Sequence, residues 1–394
     1  MPMDRVTPSQ ELLDHATMLL AKNFQAAVSV TEAEHLRGST RSLVFRLHLA
    51  SASAAPQTVI LKAANPKDVP FAPDSPTIPA WSFFNEWASL QFLTALGADA
   101  APAPRWLAGD RNAGILIMED LGQGARLDHI LLGSDAIAAM QMLTDYAATQ
   151  GRMHAATRAH RADFLRIRQA LGPLDDATRT LTGLDWLVPV VEAMQLPLML
   201  PAVPGVSAEA QQLITALQNP DPWHTFTQGD PCPDNCMVVG DRLHLLDFEG
   251  GHIKHALLDG IYGTMRFPTC WCVDDMPTSV VDSMAQAYRH ELQRGMPEAT
   301  DETLYGQAIT DAAVFWVLEW CRNFPMAQML EQDQVWRMAT VRQRFMRRVA
   351  VAADLTVAHH HLEVIGTLFR HIHAALLARW PAEAHTMALY PAFQ

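Results

Sequence analysis

Residues 228–249, QGDPCPDNCMVVGDRLHLLDFE, constrain the fold of this chain more than any other stretch. Asp230 and Asn235 stand five residues apart in a run whose Gly, Pro, Asp and Asn content marks a loop. Asp247 follows after two short apolar runs, at 237–239 and 243–246, with Gly240 and Asp241 as the turn between them. Runs so arranged predict a hairpin, and the hairpin returns Asp247 to the side of Asn235. A carboxylate at Asp230 can accept the proton of an attacking hydroxyl. Asn235 and Asp247 offer the hard oxygen ligands that Mg²⁺ takes when it bridges nucleotide phosphates. Turn residues of an ordinary β-loop-β unit satisfy the same pattern, so the stretch has to be weighed with what precedes it.

Upstream, residues 58–63 (TVILKA) alternate like a strand and carry Lys62 in otherwise apolar company, where an ammonium without a partner is costly. Residues 80–93 supply that partner. Phe83, Phe84, Trp87, Leu90 and Leu93 recur at helical spacing and leave Glu86 to reach the strand. Residues 35–49 read as strand, tight turn, strand, and Gly38, Ser39, Thr40 and Ser42 are small enough for a loop to approach phosphates closely. There is no G-x-G-x-x-G and no G-x-x-x-x-G-K-[ST], so neither a Rossmann nor a P-loop reading is supported. Residues 114–122 (GILIMEDLG) read as a buried strand ending in a turn.

Taken together, Gly229, Asp230, Asn235, Asp247, Phe248 and Glu249 resemble the catalytic and metal loops of the aminoglycoside phosphotransferase and choline kinase superfamily. Gln228 stands where that family usually has His; Gln also donates and accepts hydrogen bonds and can brace a loop. The resemblance implies an α+β, protein-kinase-like two-lobed fold. Residues 1–121 form the N-lobe, an antiparallel sheet with helices, and residues 122–394 form a larger, mainly helical C-lobe. It implies Asp230 as catalytic base, Asn235 and Asp247 as Mg²⁺ ligands, and Glu249 as a further contact for metal or acceptor. It implies ATP or GTP held by Lys62 paired to Glu86, by the loop of Gly38, Ser39 and Thr40, and by the main chain near Glu119 and Leu121, with Met118 as an apolar wall. The reaction implied is transfer of a γ-phosphoryl group to a small-molecule alcohol resembling an aminoglycoside, choline or a sugar. A silent nucleotide-binding module and nucleotidyl transfer on the same fold are the alternatives. A protein kinase is disfavoured, because there is no HRD, no DFG and no A-P-E segment after Asp247.

Composition agrees with a two-lobed globular enzyme. Of 394 residues 49% are hydrophobic and 18% charged, enough to bury a large core. With 42 acidic against 29 basic residues the net charge is −13, which argues against a nucleic-acid partner. Five cysteines, an odd number with no secretory segment in view, predict buried thiols in a reduced cytoplasmic setting; no run is long enough to span a membrane. Residues 11–20 predict an amphipathic helix capped by Thr7 or Ser9, and residues 134–160 a long helix in which His154 is a core residue and not a catalytic one. The resemblance also implies that Asp259 is structural, a cap or brace for the catalytic loop. In residues 264–276, Trp271, Asp274 and Asp275 are candidates for contact with the acceptor. His359, His360 and His361 are placed on a late helix, where three successive residues cannot face one metal.

Overall fold

The computed structural model describes residues 6–36, 41–51, 55–65, 71–75, 78–100, 102–173, 183–336 and 338–394. Its main helices are α1 (Gln10–Phe24), α2 (Ile78–Leu96), α3 (Ala136–Thr157), α4 (Arg161–Leu171), α5 (Val206–Gln218), α6 (Thr278–Leu292), α7 (Glu302–Asn323), α8 (Val341–Ala358) and α9 (Glu363–Arg379). Its strands are β1 (Val28–Leu36), β2 (Ser42–Ser51), β3 (Thr58–Ala64), β4 (Trp106–Asp110), β5 (Ile115–Glu119), β6 (His224–Thr227), β7 (Cys236–Val239), β8 (Arg242–Leu245) and β9 (His252–His255). The chain divides into two compact units. The first comprises residues 1–124, 162–175 and 239–251, and the second 125–161, 176–238 and 252–394. The α+β class expected from the sequence is the class observed.

In the first unit, β1 to β5 form one antiparallel sheet in the order β1-β2-β3-β5-β4. Strand β3 is central, its Lys62 opposite Val44 on one side and Leu116 on the other. Alternation sends Val59 and Leu61 into a core with Phe45, Leu47, Ile117 and the α1 residues Ala16 and Leu20. Ser9 caps α1, its side chain accepting from the Leu12 N–H. Helix α2 is buried on more sides than a single apolar stripe would require, since Phe83, Phe84, Asn85, Glu86, Trp87, Ala88, Ser89 and Leu90 are all buried. Gly109 on β4 makes this possible: a Cβ there would come 2.2 Å from the Trp87 ring.

The second unit is mainly helical. Helix α6 packs on α3 across Gly151, where a Cβ would sit 2.5 Å from the Tyr288 carbonyl oxygen. Strands β6 and β9 pair antiparallel. Arg344 and Arg348 on α8 are buried and donate to main-chain carbonyls of Cys270, Trp271, Met265 and Arg266, so two guanidinium groups hold residues 264–276 in shape. The three histidines expected on a helix fall at a break. Helix α8 ends at Ala358, α9 begins at Glu363, and His361 turns back to within 2.8 Å of Asp311. Among the described residues no helix is long and apolar enough to cross a membrane.

Candidate active site

Lys62 follows Leu61 on β3 and therefore faces away from the α1 core. It is only 7% exposed. Its Nζ is ion-paired with Glu86 of α2 and donates to Glu249 Oε1 at 2.8 Å. Arg41 meets the other oxygen of Glu249 at 2.7 Å. Carboxylate oxygens of Glu86, Asp247 and Glu249 lie within 4.8 Å of one another, so among the described residues three acidic groups share two cations.

The electrostatics follow from that imbalance. Burial works against the charge of Lys62, but Glu86, Glu249 and Asp247 together outweigh it and raise its pKa. Burial raises Glu86 to about 7 despite the neighbouring ammonium. Asp247 is likewise pushed up by burial, with Lys62 only partly offsetting it. Glu249 resists burial because Lys62 and Arg41 both touch it, and its pKa falls below the ordinary value. Crowded carboxylates of this kind suit a hard divalent cation, which would relieve their repulsion. Asp247 also sits at φ +56°, a left-handed conformation rarely adopted outside glycine, and its Oδ1 accepts from the Glu249 N–H at 3.3 Å.

The catalytic-loop candidates belong to the second unit and are held by a separate set of bonds. Gln228 is fully buried at the end of β6, and its Oε1 accepts from Gln150 Nε2 of α3 at 2.7 Å. The amide thus ties the end of β6 to α3. Gly229, at φ +81°, donates its N–H to Asp259 Oδ2 at 2.9 Å. Beyond it the Cys232 N–H donates to the Asp230 carbonyl at 2.8 Å, and the Asn235 N–H to the Cys232 carbonyl at 2.9 Å. Asn235 Nδ2 donates to the Asp230 carbonyl (3.0 Å) and to Asp230 Oδ2 (3.3 Å). That fixes the amide with its NH₂ toward Asp230, so Oδ1, the atom a hard cation would take, points the other way. Strands β7 and β8 both form, with Gly240 at φ +65° in the turn.

One sequence expectation is overturned here. Cys232 and Cys270 form a disulfide, with Cα atoms 5.6 Å apart; only Cys236, Cys272 and Cys321 are buried free thiols. The sulfur of Cys232 lies 3.1 Å from Asp230 Oδ1. The C-x₃-C and C-x-C spacings hid the pairing, because the bonded cysteines come from different clusters 38 residues apart.

Other candidates are placed as follows. Gly38, Ser39 and Thr40 lie outside the described residues. Glu119 ends β5 with its carboxylate on Arg105 and its N–H bonded to the Arg105 carbonyl at 2.8 Å. Leu121 follows in the turn that Asp120 shapes by accepting from the Gly122 N–H. Met118 is buried, and His154 is fully buried beside the Tyr288 hydroxyl at 2.8 Å, a core position. Trp271 Nε1 donates to Asp234 at 2.7 Å. Asp275 is bound to Arg266 (2.7 Å) and Arg347 (3.2 Å), while burial raises Asp274 to about 6.

The sequence reading missed Asp120 as an ion-pair partner, its side chain bound to Arg46 at 2.6 Å across 74 residues. It also missed Asn85 and Arg168, both fully buried and joined at 2.7 Å. The one available signal was a polar Asn inside an apolar helical run.

Comparison with known proteins supplies the family. No curated protein matches the sequence. Among solved structures the chain is similar to a choline kinase from Cryptosporidium parvum, at 13% identity over 88% of this chain and 90% of that one, with a TM-score of 0.46. It is similar to a choline/ethanolamine kinase family protein from Mesorhizobium loti, at 15% identity over 90% and 99% of the two chains, TM-score 0.42. It is similar also to the protein of the streptomycin–ATP–APH(2″)-IIa ternary complex, at 11% identity over 91% and 99%, TM-score 0.44. Matched by the family model over residues 35–299, more than half its length, this chain with its α+β fold belongs to the phosphotransferase enzyme family.

Proposed function

We propose that the protein is an ATP- or GTP-dependent phosphotransferase that moves the γ-phosphoryl group to the hydroxyl of a small molecule, an alcohol of the aminoglycoside, choline or sugar kind. The observation that carries this reading is the buried Lys62, ion-paired with Glu86 and hydrogen-bonded to Glu249 beside Asp247. An ammonium held among carboxylates stays protonated and is presented in a fixed direction, as a phosphate anchor requires.

In this reading residues 1–121 and 122–394 act as nucleotide lobe and acceptor lobe. Asn235 Oδ1 and the carboxylate of Asp247 are the groups that would hold Mg²⁺, with Glu249 as a further candidate. The metal supplies neutralisation of phosphate charge when bound. Lys62 holds the phosphates, and Glu86 keeps Lys62 from turning away. Asp230 accepts the acceptor's hydroxyl proton as the new O–P bond forms and the bond from the γ-phosphorus to the leaving nucleoside diphosphate breaks. The N–H bonds that pin Gly229 and Cys232 keep Asp230 from swinging, so that positioning and charge supply most of the rate. The main chain at Glu119 and Leu121 reads the base. The loop of Gly38, Ser39 and Thr40 covers the phosphates. Trp271, Asp274 and Asp275 are proposed to lie near the acceptor; Asp275 shapes that region through Arg266 and Arg347.

Calorimetric titration of the full chain with ATP and GTP, with Mg²⁺ and with EDTA, tests the reading. Binding that needs both the metal and Asp247 supports it. Absence of binding to the folded wild-type chain refutes it, whereas binding without acceptor-dependent ADP release in an alcohol screen would favour a silent nucleotide-binding module.

A further inference from the structure

Asn85 precedes Glu86 on α2, and the two side chains leave the helix about 100° apart. Glu86 turns to Lys62. Asn85, fully buried, turns to two other segments: its Oδ1 accepts from Arg168 Nε of α4 at 2.7 Å, and its Nδ2 donates to the main-chain carbonyl of Glu249 at 3.3 Å. Arg168 is itself fully buried, donates Nη1 to the Gly172 carbonyl at 3.1 Å, and lies 5.9 Å from the Phe84 ring centre.

A guanidinium has donors only, so Arg168 dictates which way the Asn85 amide faces. Oδ1 must meet Arg168, and the NH₂ is left to meet Glu249. Because the Glu249 side chain in turn holds Lys62, and Lys62 holds Glu86, the bonds close a ring: Glu86 to Lys62, Lys62 to Glu249, Glu249 carbonyl to Asn85, and one peptide bond back to Glu86. Apolar side chains would fill the space of Asn85 and Arg168 with less desolvation cost. What the polar pair adds is direction, imposed on a turn whose Asp247 is held in a left-handed conformation.

We propose that Asn85, oriented by Arg168, is a positioning residue for the metal loop: it fixes the Glu249 peptide and so sets the carboxylates of Asp247 and Glu249 against Lys62. The inference rests on the proposed function for its purpose and on the bond ring for its geometry. The test uses Asn85→Asp, which keeps an acceptor for Arg168 and removes the donor to Glu249. Amide hydrogen exchange at residues 247–251 should quicken roughly fivefold or more, with exchange along β3 unchanged. The affinity advantage that Mg²⁺ gives ATP should fall roughly tenfold, while ATP affinity in EDTA stays put. A merely structural defect would weaken both. Unchanged exchange at 247–251 overturns the inference, and so does an unaltered Mg²⁺ advantage. If wild type itself binds no nucleotide, the functional reading fails and the exchange arm alone decides the inference. Should Asn85→Asp not fold, Arg168→Met, which removes the donors that fix the amide, is read the same way.

Discussion

Replacing Cys270 with Ser would cut the one disulfide between the loop that carries Asp230 and residues 264–276. The disulfide closes a loop of 38 residues. Loop-closure entropy then gives about 13 cal/mol/K, or about 4 kcal/mol at 25 °C, withdrawn from the unfolded state. For a body of roughly 150–250 residues each kcal/mol moves the melting midpoint by about 2–4 °C, so Cys270→Ser should melt on the order of 10 °C lower. Calorimetric melts with and without a dithiol reductant provide the assay. Reductant should bring wild type down to the variant and leave the variant where it is. The loop should feel the cut as well, because Cys232 N–H and C=O both bond within the turn that carries Asp230 and Asn235. A wild-type midpoint indifferent to reductant, or free thiols at both positions in a non-reducing peptide map, would refute the reasoning.

Three further outcomes are expected. Asp230→Asn should keep nucleotide binding and lower acceptor-dependent ADP release by about 10² or more; undiminished turnover would sink Asp230 as the base. Asp247→Ala should weaken ATP binding in Mg²⁺ and leave it unchanged in EDTA, and an unaltered affinity in Mg²⁺ would count against its role as ligand. Burial lowers His154 to about 3, with His255 adding a little, so the unfolded chain takes up a proton first as the pH falls below about 6.5. The stability due to neutral His154 is therefore complete above pH 6.5 and lost toward pH 3, by about 1.4 kcal/mol per pH unit. His154→Gln should flatten denaturant-derived stability between pH 6 and 4 by that slope, and an identical slope would contradict a buried neutral imidazole.

Much of the candidate site was legible because its signals are local. Lys62 in an apolar strand demands a partner, and an apolar helix with one glutamate supplies it; the structure makes that pair. Asp230, Asn235 and the turn at Gly240 sit within a dozen residues of one another, so turn chemistry and spacing suffice to read them. Partners chosen across long separations left no such trace. Arg46 and Asp120, Asn85 and Arg168, Cys232 and Cys270 are each dozens of residues apart and drawn from segments with different periodicities. The three histidines show the same limit in reverse: helical periodicity runs through them, and the structure breaks between Ala358 and Glu363, where His361 meets Asp311.

By itself, then, the sequence determined the class of fold, several of the strands and helices of the first unit, and the residue types on which the proposed chemistry draws. Side-chain alternation, helical spacing and turn composition act over a few residues and are written in the chain directly. The tertiary structure decided which carboxylates share Lys62, which way the Asn85 and Asn235 amides face, and which thiols meet. Those outcomes depend on distances closed by packing, and burial then fixes their charges: the same glutamate that would titrate near its ordinary value in water is raised to about 7 once α2 carries it beneath the sheet.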